Sequence, residues 1–258
     1  MFNYEGFQFH ESQVTDVAFV DSGSMDVEKI QLFLVEQGSF LKDFILFGNE
    51  GGFFDANEDG KLDVGDTAYR PGKGIGKKRT QGKELLCRKF PCLGFKEGTT
   101  GSSTATVLAM DAKDFHINPK VLLTTAQKEN ALIVNQRRLP VANILDYGMG
   151  CNPPTDFYSQ VACSAKVLVK RFNQTPSEPY FRPLITGNPC DQYTKGICLY
   201  VGEMDGLQNV GFQINTKATY AQYRYTPYIQ TEACGGVYSF EYWWGELGFG
   251  DPPPPLGC

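Results

Sequence analysis

Apolar residues fall at helical spacing in three stretches of this chain, and residues that start or stop helices bound each one. In 26–37, Ile30, Phe33 and Leu34 form one stripe. Asp26 suits the N-cap, Met25 and Ile30 form a hydrophobic staple, and Gly38 follows the C-terminus. The period returns over 104–134 and over 156–172, so helices are expected there too. Asn118 suits an N-cap, Pro119 the first helical position, and Asp156 the cap of a helix from 157. Elsewhere the pattern breaks. Residues 39–54 lead into an acidic loop, and 70–103, rich in Gly, Lys and Thr, read as an irregular insertion. From 180 to 217 short apolar runs alternate with Gly, Asn and Pro. There "GICLYVGEMDGLQNVGFQIN" predicts a β-hairpin turning near Asp205–Gly206. The ending "DPPPPLGC" is too proline-rich for helix or sheet. The expected class is α+β, mostly α, with a small β-hairpin element. One domain spans 1–250 with an insertion at 40–103, and a tail occupies 251–258.

Composition narrows the setting. A chain of 258 residues with 41% hydrophobic and 13% aromatic residues is long enough for a substantial core. The net charge of −5 gives no reason to expect nucleic acid as a partner. No apolar run approaches the roughly 20 residues of a membrane span. The opening "MFNYEGFQFHESQ" is polar throughout and does not read as a signal peptide. Eight cysteines spread along the chain, beside only two histidines, favour disulfides and an oxidising compartment over zinc. The expected pairs are Cys87–Cys92, Cys190–Cys198, Cys151–Cys163 and Cys234–Cys258. A secreted, monomeric protein is expected.

"DANEDGKLDVGD" puts Asp55, Asn57, Asp59, Asp63 and Asp66 at loop positions 1, 3, 5, 9 and 12, with Gly60 at position 6. Oxygens at alternate residues around a sharp turn let one short loop wrap a calcium ion, with Lys61 giving its backbone carbonyl. The pattern resembles the calcium loop of EF-hands and dockerin repeats. Position 12 is Asp rather than Glu, which shortens its reach. With a single loop and no paired partner, a structural calcium that pins the insertion is expected. The neighbouring "YRPGKGIGKKRTQGK" fails the phosphate-loop pattern, because Pro71 and Lys78 stand where Gly and Ser or Thr are needed. Lys73, Lys77, Lys78, Arg79 and Lys83 suit a solvated loop or an anionic polymer.

Glu129 is the acid that breaks a helical pattern. Leu122, Thr125, Ala126, Glu129, Leu132 and Ile133 share one face, whereas Gln127 and Lys128 point elsewhere. Burial and the negative end of the helix dipole both favour the protonated carboxyl, as a general acid for glycosidic cleavage requires. The alternative is a structural Glu paired with a cation such as Arg137 or Arg138.

Five segments, in order, resemble a group of secreted bacterial proteins with a lysozyme-like, transglycosylase-like domain. "NPKVLLTTAQKENALI" is similar to their helix "NPKVLL-x-x-L-Q-K-E-Q-x-L-I". "DVAFVDSGSMDVEKIQLFL", "YGMGCNPPTDFYSQV", "ATYAQYRYTPY" and "GGVYSFEYWWGELGFG" resemble their N-terminal helix, a Gly-Cys turn followed by a helix, a Tyr-rich segment and an aromatic ending. The resemblance covers most of the chain outside 40–103. It implies a mostly helical lysozyme type of fold, the glycan strands of peptidoglycan as substrate, and Glu129 as the catalytic acid. The chain departs from that pattern at Met149, where the family has Tyr, and around Asp156, which is not aligned with the family's Asp. Tyr147, Gln160, Tyr223, Tyr225 and Tyr228 are candidates to meet sugar, since aromatic faces and polar groups line glycan clefts. Trp243 and Trp244 are assigned to packing. The expected activity is lytic transglycosylase or muramidase. The alternative is a calcium-stabilised module that binds wall glycan without cleaving it.

Overall fold

The computed structural model describes residues 3–4, 7–8, 12–70, 85–87, 95–134, 148–151, 156–174, 200–201, 216–226, 228–229 and 236–251. Among them the elements run β1 (Asn3–Tyr4), β2 (Phe7–Gln8), α1 (Asp16–Phe19), α2 (Val27–Glu36), β3 (Phe44–Leu46), β4 (Gly52–Phe54), β5 (Thr67–Arg70), β6 (Leu85–Cys87), β7 (Ser102–Ser103), α3 (Thr104–Phe115), α4 (Pro119–Asn130), α5 (Phe157–Asn173), β8 (Tyr200–Val201), α6 (Lys217–Tyr225), β9 (Tyr228–Ile229) and α7 (Gly236–Glu246). The protein is a mixed α+β chain, mostly helical. It divides into two compact units, residues 22–165 and residues 1–21 with 166–258. No helix among the described residues is long and apolar enough to cross a membrane.

In the 22–165 unit, the helices start where their caps stand. The Asp26 carboxylate accepts from the Lys29 amide at 2.9 Å, and Ile30, Phe33 and Leu34 are buried. Ser103 caps α3, accepting from the Thr106 amide at 3.1 Å. Helix α4 begins at Pro119, with Asn118 Oδ1 accepting from the Lys120 amide at 2.8 Å. Every residue from Val121 to Gln127 is buried, so α4 is enclosed on all sides rather than along one stripe. Its polar residues tolerate this because they bond locally. The hydroxyls of Thr124 and Thr125 donate back to the carbonyls of Lys120 and Val121 at 2.8 and 2.7 Å. Burying each of Val121, Leu122 and Leu123 contributes about 1.5–3 kcal/mol.

The described residues also hold a sheet that the sequence pattern does not predict. Within 40–103, five strands form an antiparallel sheet in the order β6-β5-β4-β3-β7. The stretch expected to be irregular therefore supplies β6 and β7. The strands are two to four residues long, too short to show alternation. β3 is buried at all three positions, so it reads as an apolar run without a polar face. Ile45, Phe53, Leu62 and Ala68 form a buried cluster, with Phe47 and Phe95 packed on it.

In the unit formed by 1–21 and 166–258, β8 pairs in parallel with β9, Tyr200 opposite Tyr228. The rest of the expected 196–215 hairpin lies outside the described residues. A buried polar network ties residues 12–13 to α6 and α7. The Glu241 carboxylate accepts from the Ser12 hydroxyl and the Gln13 amide, both at 2.8 Å, while the Ser12 amide donates to Thr219 at 2.8 Å. Trp244 is buried and packs against Phe240 and Phe249, in keeping with a packing role.

Candidate functional site

Glu129 stands in the last turn of α4, just before Ala131 closes the helix in the left-handed region at φ 52°. Gln127 secures the segment beyond, its side-chain oxygen accepting from the amides of Ile133 and Val134 at 2.9 and 2.8 Å. Lys128 does not point away from Glu129. Its ammonium lies 2.8 Å from Glu129 Oε1. Neighbours in a helix rarely face one another. Here the Lys128 side chain is only 8% exposed, and a buried cation needs a counter-charge. Burial pushes the Lys128 ammonium below the usual lysine range, and the Glu129 carboxylate pulls the other way. Glu129 is the more open partner, with its side chain 22% exposed. Arg137 and Arg138, the cations named in the alternative of a structural Glu, lie outside the described residues.

The other wall of the carboxylate is backbone. Gly150 takes φ +70°, and a Cβ there would lie 2.6 Å from Glu129 Oε2 and 2.9 Å from Cδ. Only glycine lets the turn approach this closely in that conformation. On the turn's other side, a Cβ at Gly148 would meet the Phe157 ring at 2.7 Å. The turn at 148–151 is thus pressed between the core and the acid.

Gln160 holds that turn. It is fully buried, and its oxygen accepts from the amides of Met149 and Cys151 at 3.4 and 3.0 Å. Its side-chain nitrogen donates to the Cys151 carbonyl. Expected to meet sugar, it is instead enclosed and bonded to backbone. The Cys151–Cys163 disulfide, with Cα atoms 6.1 Å apart, joins the turn to α5. Asp156 caps α5, accepting from the Ser159 amide at 2.7 Å, so it serves the helix as expected. The other expected disulfides involve residues outside those described or, at Cys87, a side chain that is not described.

Among the remaining sugar candidates, Tyr147 lies outside the described residues and only the backbone of Tyr228 is described. Tyr223 is buried and Tyr225 half-buried, both on α6. They belong to the unit that does not contain Glu129.

The acidic loop joins β4 to β5, where Phe54 pairs with Thr67. It therefore hangs on a hairpin rather than between helices. Gly60, at φ 76°, makes the sharp turn and donates to Asp55 Oδ2 at 2.6 Å. Asp59 accepts from the Lys61 amide at 2.8 Å, and Asp63 from the Gly65 amide at 2.9 Å. Asp66 closes the circuit, accepting from Ala56 and Asp63 at 2.9 and 2.8 Å. Asn57 donates to Asp63 at 2.7 Å, which draws positions 3 and 9 together. The Leu62 amide and carbonyl bond to Thr99 and Gly98, both at 2.9 Å, fixing the middle of the loop to the next segment. Among the described residues, no three His, Cys, Asp or Glu side chains form a metal-holding group. Two of the expected donors, the Asn57 side chain and the Lys61 carbonyl, are not of those types.

No protein-family model, curated protein or solved structure matches the chain.

Proposed function

We propose that the chain is a secreted glycosidase that cleaves the glycan strands of peptidoglycan, with Glu129 as its acid and base. The observation that carries this reading is the setting of the Glu129 carboxylate. It is partly exposed at the end of an enclosed helix, against a turn braced by Gln160 and a disulfide. An acid held by rigid surroundings yet open to solvent is suited to meet a substrate with little reorganisation. The disulfide also fits an oxidising compartment.

Asp156 is occupied as a helix cap, so the reading favours a reaction that needs one acid. The Glu129 carboxyl protonates the glycosidic oxygen as the C1–O bond breaks. The carboxylate then takes the proton from the 6-hydroxyl of the lactyl-bearing sugar, whose oxygen closes onto C1. No water is consumed, and the proton returns to Glu129. This is lytic transglycosylation, and its products end in anhydro-sugars. Muramidase hydrolysis is the alternative chemistry and leaves reducing ends.

Glu129→Gln keeps the shape and removes the proton donor, so activity falls by roughly 10²–10⁴-fold while wall binding remains. Clearance of a wall suspension, with mass spectrometry of the products, measures the first, and co-sedimentation with walls the second. Near-normal cleavage by the variant overturns the assignment.

The Lys128–Glu129 ion pair favours a second reading, in which Glu129 is structural and the chain binds wall glycan without cutting it. Retention on walls with no clearance by the unaltered protein selects that reading. In either case the 55–66 loop is assigned a structural calcium, held by Asp55, Asn57, Asp59, Asp63 and Asp66 with the Lys61 carbonyl.

A further inference from the structure

Gln160 has no place in the chemistry described above, yet it is wholly enclosed and points its amide at one turn. That turn ends against the Glu129 carboxylate, where Gly150 leaves no room for a side chain. We infer that Gln160 is a positioning residue, holding the Glu129 carboxylate in place through the backbone of residues 149–151.

The chain of contacts is short. Gln160 rises from the first turn of α5, whose start is fixed by the Asp156 cap. Its carboxamide is planar and offers an acceptor and a donor together, so it grips Met149 and Cys151 on either side of Gly150. The disulfide from Cys151 to Cys163 and the Ser164 hydroxyl, 3.4 Å from the Met149 carbonyl, add two further ties from the same helix. Gly150 is left between these anchors with its α-carbon toward Glu129. Movement of the turn would either press on the carboxylate or open a gap beside it. Side chains of other shape lack this pairing: Leu or Met fills the space and leaves two amides and a carbonyl unbonded.

The effect on catalysis rests on the glycosidase reading, but the effect on the carboxylate does not. The test therefore has two readouts. The first is the NMR resonance of the Glu129 side-chain carboxyl carbon, assigned by its loss in Glu129→Gln. The second is steady-state cleavage of soluble peptidoglycan fragments. Gln160→Met keeps the volume and removes the hydrogen bonds. Gly150→Ala keeps Gln160 and its bonds, and adds a Cβ at the carboxylate. The Glu129 resonance is expected to move in both variants. In both, kcat falls by about tenfold to a hundredfold with KM changed by less than about twofold, as expected when a reacting group is misplaced rather than binding lost. A Glu129 resonance that stays in place in folded Gln160→Met overturns the inference. Should that variant not fold, Gln160→Asn, whose amide is one methylene too short to reach both Met149 and Cys151, is read by the same criterion. An unaltered protein that cleaves no glycan refutes the proposed function instead, and the resonance alone then decides the role of Gln160.

Discussion

The four aspartates of the 55–66 loop are held by amides of the same loop, whereas Glu129 is held by a cation beside it and a turn far along the chain. Asp55, Asp59, Asp63 and Asp66 each have a partner no more than ten residues away, and the geometry follows from the spacing of Asp, Asn and Gly. Around Glu129, the partners come from α4, the 148–151 turn and α5, and a covalent bond helps hold them together. Asp111 on α3 is a third case. One of its oxygens is buried without a hydrogen-bond partner, and burial, with a lesser push from Asp114, raises its pKa to about 7. The loop aspartates depend on their own segment, Glu129 depends on segments far along the chain, and at Asp111 burial of an unbonded oxygen disfavours the ionised form.

The largest expected effect tests whether the loop is as local as its hydrogen bonds suggest. Leu62 lies at its centre and is fully buried in the sheet cluster. Leu62→Ala costs about 4 kcal/mol by denaturant unfolding, with hydrogen exchange rising in β4 and β5. A cost under about 1 kcal/mol shows that the loop is independent of the core beneath it.

Next comes the disulfide. Replacing Cys151 and Cys163 by Ser removes a bond across a sequence separation of 12, worth about 3 kcal/mol. Exchange should rise in 148–151 and in the start of α5 and stay unchanged in 55–66. Equal loosening of both regions would break the contrast between them.

Calcium should act in the opposite sense. At a hundredfold excess over Kd, it stabilises by roughly 2.7 kcal/mol and raises the Tm. Asp55→Ala abolishes that gain. A melting curve indifferent to calcium and to chelator removes the ion from the account.

The smallest effect belongs to Asp111. Its folded pKa lies above its unfolded value of 3.8, so its contribution is fully present below that pH and is lost as the pH rises through about 7. Asp111→Asn should therefore stabilise by about 1–2 kcal/mol at pH 8, after allowance for partial exposure, and have little effect at pH 4. Equal Tm shifts at the two pH values would contradict the burial cause.

What was readable in the sequence follows the same division. Asp26, Asn118, Pro119 and Asp156 announce helix starts because a cap bonds within its own first turn. The loop's turns follow from Asp and Gly positions, whereas spacing alone does not single out the Cys151–Cys163 pair found in the structure. The sheet was hidden because its strands are short and β3 lacks a polar face. The Lys128–Glu129 pair was hidden because helical periodicity says nothing of how a long side chain curls at a helix end. The bonds from Gln160 to the turn are not legible in the sequence, because they depend on how α5 packs, which no local pattern encodes. The pairing of β8 with β9 likewise joins segments far apart in sequence.

Because Phe54 and Thr67 face one another across the hairpin, the acidic segment leaves and re-enters the sheet at neighbouring points. It is, in an engineer's terms, a cassette. Its two ends match those of any antiparallel strand pair, so it can be lifted out in favour of a tight turn or set into a foreign hairpin. The recipient must also provide an apolar socket for Leu62 and backbone partners for its amide and carbonyl, which Thr99 and Gly98 supply here.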